Sequence, residues 1–362
     1  MIISDAEISI ITDQGANTGI GRYALAVHSL LRRSFPNLKL VQLTHFSSAP
    51  IPSAEKPSFI KPASRLLSYP FQKHRNLKLI RSESLFSNSN VHICGSDYSL
   101  TAESTNTICT VHDYFFRFPS FESFKNPKEL LSEVYIDYYN LLTPRHIKRS
   151  GAIVVNSYSV QRDLLTKTGL NSKVVHIWTD NSFRPRDRIQ SRRRLGLPIG
   201  KKLLLNVSGA GVNKNLPTLE RLADILPTGF VIVKVGQPIL HPRILNVSYV
   251  PSEDYPYYFN ATDFYINTSI REGFCAPLIE SISSGLPVIS PKLAPFDEIL
   301  GDAAAYVQDP MNEREFLAQV LSVSERPINE DLISRALNRK SNFSEDTARA
   351  SLVEIYKRCF KL

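Results

Sequence analysis

The sequence predicts an α/β protein of two domains, each with a parallel β-sheet covered by helices. Short β-branched runs alternate with longer amphipathic stretches along most of the chain, which is the pattern of such sheets. A length of 362 residues also exceeds the usual size of one domain. A proline-bearing, arginine-rich stretch with few large apolar residues, residues 181–201, separates two alternating series. We therefore predict domains over 1–180 and 202–343, joined by a linker over 181–201.

Ten short apolar runs are predicted as strands, and helices fit between them. Those of the first domain are residues 7–12, 91–94, 108–112, 152–156 and 174–178. Those of the second domain are residues 202–207, 230–235, 247–250, 264–267 and 287–290. The final segment, 344–362, begins with a serine N-cap and two acidic residues and ends with basic ones. It is predicted as an amphipathic helix.

Composition narrows the class of protein. Hydrophobic and charged fractions of 43% and 21% are ordinary for a soluble globular chain, and no apolar run approaches the ~20 residues that span a bilayer. The N-terminus lacks the basic flank of a secretory signal, and the four scattered cysteines favour neither disulfides nor a zinc site. We therefore expect a cytoplasmic protein. The formal charge of +9 should attract nucleotide phosphates, lipid headgroups or nucleic acid.

The segment 272–288, EGFCAPLIESISSGLPV, is the most informative part of the chain. It follows a predicted strand, Pro277 suits the first turn of a helix, and Gly285 suits its end. The backbone N–H groups of the helix start, at Gly273, Phe274, Cys275 and Ala276, are therefore expected at the carboxyl edge of a parallel sheet. Phosphates bind at such places.

Two glutamates flank this helix start. Glu272 lies in the preceding loop and Glu280 about one turn inside the helix, so both carboxylates can face one cleft and accept hydrogen bonds from hydroxyl groups. With the surrounding Gly, Phe, Pro and Pro-Val residues, the E-G-F-x-x-P-x-x-E segment resembles the signature of the retaining glycosyltransferases of family 4, which have the GT-B fold. The resemblance implies two Rossmann-like domains facing across a cleft, with Glu272 on the donor sugar and Glu280 on the ribose hydroxyls.

Further segments similar to this family recur in the expected order along nearly the whole chain. Thr18-Gly-Ile-Gly-Arg-Tyr23 is similar to its N-terminal glycine loop, where Gly19 would let the backbone approach the donor diphosphate. His112 stands where the family has a histidine that meets the transferred sugar. A plain strand-to-helix turn and a locally satisfied histidine are the alternatives at these two positions.

The second half of the chain also resembles this family. Lys214 matches the family's diphosphate-binding lysine, but Asn213 replaces the usual arginine before it, which puts the turnover rate in doubt because asparagine cannot neutralise a phosphate. Arg271 and Arg22 are candidates to compensate. Tyr249 and Val250 are similar to the segment that packs on the nucleotide base.

The implied reaction moves a glycosyl group from a nucleoside-diphosphate sugar to an acceptor hydroxyl of a glycan or lipid-linked glycan, with retention of configuration. Stabilisation of the leaving group should dominate, since no carboxylate pair in the first domain stands out as a base. No Asp-x-Asp pair occurs and the family does not generally need a divalent metal, so we expect no metal and no cofactor. The family also returns its last helix to the first domain, as segment 344–362 would here.

Three matters stay open. Residues 59–81 mix aromatic and basic side chains, which suggests peripheral contact with an anionic membrane at its inner face, although a solvated basic loop explains them equally well. A catalytically inactive GT-B module that acts as a binding partner, or a nucleotide-sugar epimerase or phosphorylase of similar fold, are the alternative functions. Nucleic acid is not expected as a partner, because no ordered array of basic and aromatic residues marks one element.

Overall fold

A computed structural model describes residues 2–12, 15, 18–42, 90–95, 106–113 and 144–362. The chain forms two compact units. Unit 1 consists of Met1–Val175 together with Arg349–Leu362, and unit 2 is the continuous stretch His176–Ala348.

Unit 1 contains a sheet of six parallel strands in the order β2-β1-β3-β4-β5-β6. Every residue of β1 and β4 is buried, as expected for strands covered on both faces. The strands are β1 Ile8–Thr12, β2 Leu38–Gln42, β3 Asn90–Ile93, β4 Thr107–Val111, β5 Ala152–Val155 and β6 Lys173–Val174.

Three helices of unit 1 are described in full, Gly19–Leu31, Tyr158–Thr168 and the C-terminal helix Glu345–Phe360, most of which falls in this unit. Residues 144–147 are also helical. Thr18 caps the first by accepting a hydrogen bond from the Gly21 amide. Ser157 caps the second in the same way. Each helix therefore begins where a hydroxyl side chain satisfies an end amide.

The C-terminal helix is fixed to the sheet of unit 1 by apolar packing and one polar contact. Tyr356 is fully buried, stacks on Phe35 at 5.4 Å between ring centroids, and its hydroxyl lies 2.7 Å from His92 Nδ1. His92 Nε2 lies 2.8 Å from the Thr110 hydroxyl. Burial, and then the nearby His112, lowers the pKa of His92 to about 3, so its ring is neutral at ordinary pH.

Unit 2 contains a second sheet of six parallel strands in the order β12-β11-β10-β7-β8-β9. Read along the chain, the strands build outwards from β7 to β9 and then from β10 to β12, which is the doubly wound order of nucleotide-binding sheets. The strands are β7 Lys202–Ser208, β8 Phe230–Gly236, β9 Ile244–Val247, β10 Phe264–Ile266, β11 Val288–Pro291 and β12 Ala304–Val307.

The helices of unit 2 cover both faces of this sheet, and an apolar core lies on each side. Together with the two sheets, they confirm the predicted fold class of two Rossmann-like parallel-sheet units. The α-helices are Arg188–Leu195, Leu216–Ile225, Tyr255–Ala261, Ala276–Ser283, Ala294–Leu300, Glu313–Val323 and Arg326–Arg339, with short 3-10 turns at Val212–Lys214 and Lys340–Phe343.

The predicted linker, residues 181–201, contains the helix Arg188–Leu195 and lies within unit 2. Arg192 is buried and reaches the Asp263 carboxylate at 2.6 Å, while Arg188 approaches the same carboxylate at 2.7 Å. Arg192 also donates to three backbone carbonyls, those of Ala261, Ile199 and Lys201. These arginines fold the segment onto the sheet because one buried aspartate pairs with them.

Several strand limits differ from the prediction. The strand predicted at 247–250 lies at Ile244–Val247, and the one predicted at 174–178 is only Lys173–Val174. Strands β2 and β12 were not predicted, since LKLVQ and AAYV are short and only partly buried. No helix among the described residues is long and apolar enough to cross a bilayer.

Candidate functional site

The candidate site of unit 2 lies where β7 and β10 run side by side. The chain continues from β7 towards one edge of the sheet and from β10 towards the other, so the loops after these two strands diverge at their carboxyl ends. Ligands of doubly wound sheets bind in the crevice at such a switch point. The loop after β7 carries Asn213 and Lys214, and the loop after β10 carries Glu272 and Gly273.

The loop after β7 presents a run of backbone donors. Among the described residues, no acceptor pairs with the N–H groups of 209–213, whereas the Lys214 amide donates to the Gly211 carbonyl at 2.9 Å. The turn closes at Asn215, which has a left-handed φ of 50°, and the Asn215 side chain donates to the Pro310 carbonyl at 2.8 Å. Consecutive amides held in a turn form an anion-binding concavity.

Three hydrogen bonds fasten the two loops to each other. Asn213 Nδ2 donates to the Arg271 carbonyl at 2.9 Å, and the Ile270 amide donates to the Asn213 carbonyl at 2.8 Å. The Thr268 hydroxyl donates to the Lys214 carbonyl at 2.9 Å. Asn213, where the family has arginine, thus joins the loops instead of offering a charge.

Lys214 and Glu272 form an ion pair between the two loops, with the ammonium donating to Glu272 Oε1. Their side chains are 25% and 11% exposed, so solvent screens the pair only in part. The structure therefore brings together two predicted site residues that stand far apart in the sequence.

The helix Ala276–Ser283 starts beside this pair. Cys275 takes a left-handed φ of 75°, and no acceptor pairs with the amides of Phe274, Cys275 and Ala276 among the described residues. Burial, and then the Glu272 carboxylate, raises the pKa of the Cys275 thiol above its ordinary value, while Lys214 opposes the shift. The thiol is consequently neutral, and the helix start offers amide donors close to both charges.

Glu280 lies inside the same helix and is 5% exposed. Its Oε2 accepts a hydrogen bond of 2.7 Å from the Tyr255 hydroxyl. Tyr255 also packs edge-on against Phe183 and Phe259, with centroid distances of 5.9 and 5.3 Å. Tyr255 therefore combines aromatic packing with a hydrogen bond to a predicted site carboxylate.

Tyr249 and Val250, predicted near the nucleotide base, lie in the coil after β9. Tyr249 is 75% exposed, while Val250 packs partly against the core of unit 2. No hydrogen bond or ring contact among the described residues links Tyr249 to Lys214 or Glu272. Their place near the nucleotide base stays a prediction.

Unit 1 holds the other two predicted site residues. His112 follows β4, is 6% exposed, and its Nε2 lies 3.0 Å from the Cys94 carbonyl, so this nitrogen carries the proton. The Tyr23 ring meets the imidazole edge-on at 4.9 Å. Gly19 is the first residue of the Gly19–Leu31 helix. A Cβ at Gly19 would meet nothing within 4 Å.

Sequence reasoning missed Lys234, a fully buried lysine in the apolar strand β8. Its Nζ donates to the Ser208 carbonyl at 2.7 Å and to the Val235 carbonyl at 3.0 Å. Burial, and then the charge of Lys214, lowers the pKa of Lys234 to about 8. A single charge inside the run FVIVKVG was the available signal. The basic segment 59–81 lies outside the described residues.

Comparisons with known proteins agree with this geometry. Residues 240–339 match the family model described as Glycosyl transferases group 1. The chain is 24% identical to O-antigen chain mannosyltransferase B of Escherichia coli over 383 aligned residues, covering 94% of this chain and 96% of that protein.

Solved structures share the fold. Sucrose-phosphate synthase from Thermosynechococcus elongatus superposes with a TM-score of 0.73 at 14% identity, covering 98% of this chain and 99% of that one. HepE of Anabaena, in complex with UDP and glucose, superposes with a TM-score of 0.69 at 14% identity, covering 97% and 99%. The architecture is therefore GT-B. With the group 1 segment and the mannosyltransferase relative, it supports a hexosyltransferase: the chain is an enzyme of the glycosyltransferase class.

Proposed function

We propose that this enzyme transfers a hexosyl group from a nucleoside-diphosphate sugar to a hydroxyl of a glycan or lipid-linked glycan, with retention of configuration. The observation that carries the proposal is the Lys214–Glu272 pair at the switch point of the second sheet. A cation for the leaving diphosphate and a carboxylate for sugar hydroxyls stand side by side there, flanked by unpartnered amides.

In the proposed mechanism the donor diphosphate lies against the amides of 209–213 and of the Phe274–Ala276 helix start. The Lys214 ammonium has three protons, so it can hold Glu272 and a phosphate oxygen together. Fixed donors of this kind stabilise charge as it develops on a leaving group. Glu272 then orients the transferred sugar, and Glu280, held by Tyr255, receives the ribose hydroxyls. The role of His112 on the sugar stays a prediction.

The proposed reaction uses no divalent metal, because lysine and amide donors carry the charge that a metal would carry elsewhere. Transfer should therefore persist in excess EDTA. A rate that EDTA abolishes and Mg²⁺ or Mn²⁺ restores would contradict this part of the proposal.

The transferred sugar is proposed to be mannose. The support is the similarity to an O-antigen chain mannosyltransferase over nearly the full length of both proteins. A second curated relative, at 22% identity over 271 residues, is also an O-antigen chain mannosyltransferase, RfbU of Salmonella typhimurium. Because the structure of HepE contains UDP and glucose, UDP-glucose is also tested as a donor.

The test is release of nucleoside diphosphate from GDP-mannose, UDP-glucose and ADP-glucose in the presence of candidate glycan acceptors. The wild type should release diphosphate from one donor only when an acceptor is present, and NMR should show an α-linked product from an α-linked donor. Lys214→Ala should abolish release, whereas Lys201→Met, which removes an exposed charge before β7, should not.

The same assay separates the alternatives. Donor binding without turnover would indicate an inactive GT-B binding module. The reason to consider this alternative is that asparagine, and not arginine, stands at position 213. Conversion of the donor sugar without transfer would indicate an epimerase, and transfer with inversion would overturn the proposed stereochemistry.

We further propose a cytoplasmic enzyme with peripheral contact to anionic lipid through residues 59–81, whose sequence mixes aromatic and basic side chains. Flotation with liposomes that contain or lack phosphatidylglycerol tests this contact. Equal absence of binding to both liposomes would refute it.

A further inference from the structure

Lys234 is unusual because it places an ammonium inside an apolar sheet. Its neighbours along β8 are Val233 and Val235, and the side chain is fully buried. Moving a charged amine out of water is costly, and its lowered pKa, about 8, reflects that cost. A buried lysine of this kind needs a reason other than packing.

The Lys234 ammonium lies at the start of the loop after β7, whose amides at 209–213 are the candidate hydrogen-bond donors to phosphate. Lys234 is paired with Asn206 in the register of β7 and β8, yet its Nζ reaches two residues further, to the Ser208 carbonyl at 2.7 Å. Ser208 ends β7, and the unpartnered amides start at the next residue. The side chain therefore runs beneath the sheet edge towards the switch point.

A second feature fixes the same carbonyl. Gly236 has a φ of +99°, and a Cβ there would stand 2.6 Å from the Ser208 oxygen. The Gln237 amide also donates to this oxygen at 3.0 Å. Since the Ser208 carbonyl has an amide partner already, Lys234 is not needed to satisfy it. What the lysine adds is a positive charge and a second bond that draws the carbonyl inwards.

We propose that Lys234 is a positioning residue for the donor diphosphate: its buried ammonium holds the Ser208 carbonyl away from the phosphates and adds a second positive charge behind the 209–213 amides. This inference rests on the proposed function and deepens it. It also accounts for Asn213. The positive charge absent from the surface of the loop is supplied from within the sheet, beside Lys214.

The buried ammonium has a cost in stability. An unfolded lysine keeps its proton up to about pH 10.4, whereas Lys234 in the folded chain loses it near pH 8. Between these values the unfolded state binds more protons, so stability rises with pH; below pH 8 the full penalty of the buried charge is present. Removing the charge should therefore increase the free energy of unfolding at neutral pH.

The test compares wild type, Lys234→Met and the control Lys201→Met by calorimetric titration with pyrophosphate, GDP and UDP, and with guanosine and uridine as probes without phosphate. At pH 7, Lys234→Met should bind the diphosphates about tenfold more weakly, equivalent to one pKa unit of coupling, with nucleoside binding unchanged. Its Tm should be unchanged or about 2–4 °C higher. Lys201→Met should match wild type.

A pH series supplies a readout that packing alone would not change. From pH 7 to pH 9 the wild type should lose diphosphate affinity as Lys234 loses its proton, and the difference from Lys234→Met should narrow. Lys214, paired with Glu272, is the charged group that acts on Lys234 among the described residues, and both variants keep it.

The outcomes separate this inference from the function on which it rests. Unchanged diphosphate affinity in Lys234→Met, or an equal loss for nucleosides and diphosphates with a lowered Tm, would overturn the inference alone. A wild-type chain that binds none of the diphosphate probes would overturn both.

Discussion

Single residues set the charge balance of the candidate donor site. Lys214 and Glu272 neutralise each other across two loops, and both are partly shielded from water. A carboxylate that pairs with a cation lowers the cation's attraction for a second anion. In the proposed mechanism, the pair therefore holds the lysine in place while limiting how tightly the lysine binds a diphosphate product.

This balance predicts opposite effects on binding and turnover for Glu272→Gln. Without the competing carboxylate, affinity for the nucleoside diphosphate should rise by about fivefold, equivalent to ~1 kcal/mol for a partly exposed pair. The transfer rate should fall by about 10²-fold or more, since the sugar loses its carboxylate. Calorimetry and the release assay measure the two. Weaker diphosphate binding in Glu272→Gln would contradict the proposed division of roles.

Gly19 allows a test free of folding effects. A methyl group at this position meets no protein atom within 4 Å, and alanine is the better helix former, so Gly19→Ala should not lower Tm. If the backbone at Gly19 approaches the donor diphosphate, as the resemblance implies, the Michaelis constant for the donor should rise by about tenfold or more. Gly229→Ala, which also has open space, is the matched control. Unaltered donor kinetics would remove Gly19 from the site.

At the residue scale the sequence predicted which side chains to examine but not their partners. Glu272 and Lys214 were both singled out by short motifs, and the structure pairs them across the switch point. The Tyr255–Glu280 bond and Lys234 were missed because a tyrosine or lysine in an apolar run has the same local pattern whether or not a site lies nearby. Only three-dimensional packing distinguishes these cases.

At the scale of helices and strands, one buried aspartate explains why the arginine-rich segment packs against the second sheet. The pattern SFRPRDRIQSRRRLGLPIGKK indicated a solvated linker, because arginine is rarely buried. Asp263 changes this outcome by pairing with Arg192 and Arg188 and accepting the Leu203 amide at 2.7 Å. Strand positions were predicted well where apolar runs are long, and poorly for β2, β6, β9 and β12, which are short or half-exposed.

Asp263→Asn should therefore destabilise unit 2 by about 3–5 kcal/mol, because it leaves the Arg192 charge buried without its carboxylate. Urea unfolding of the full chain measures the loss. Asp331→Asn, in an exposed pair with Arg335, is the matched control and should cost under about 0.5 kcal/mol. Equal effects of the two substitutions would show that the Arg192 pair does not anchor the helix.

Buried His92 makes the attachment of the C-terminal helix sensitive to acid. Its pKa is about 3 in the folded chain, against about 6.5 when unfolded. Between these values the unfolded state binds the extra proton, so stability falls as pH drops below 6.5, by up to ~1.4 kcal/mol per pH unit. Unfolding free energies at pH 7 and pH 5 should differ more in wild type than in His92→Gln. The same pH slope in both would assign the effect to other groups.

At the scale of the whole molecule, the C-terminal helix belongs to a unit whose other residues all precede position 176. A chain ending at residue 348 lacks buried Leu352, Tyr356 and Phe360, each worth about 1.5–3 kcal/mol of burial. That sum is comparable with the whole stability of a typical domain. Limited proteolysis should then digest unit 1 and leave a fragment close to His176–Ala348. Removal of residues 361–362 alone should leave unit 1 resistant, and an intact unit 1 after truncation at 348 would refute the assigned role of the helix.

The interrupted course of unit 1 also imposes an order on biosynthesis. The ribosome releases all of His176–Ala348 before the residues that cover Phe35 and His92 emerge. The contact between His92 and Tyr356 closes a separation of 264 positions, which is slow to form and entropically expensive. The nascent first unit consequently exposes apolar surface until the C-terminal helix has been synthesised, and exposed apolar surface favours aggregation.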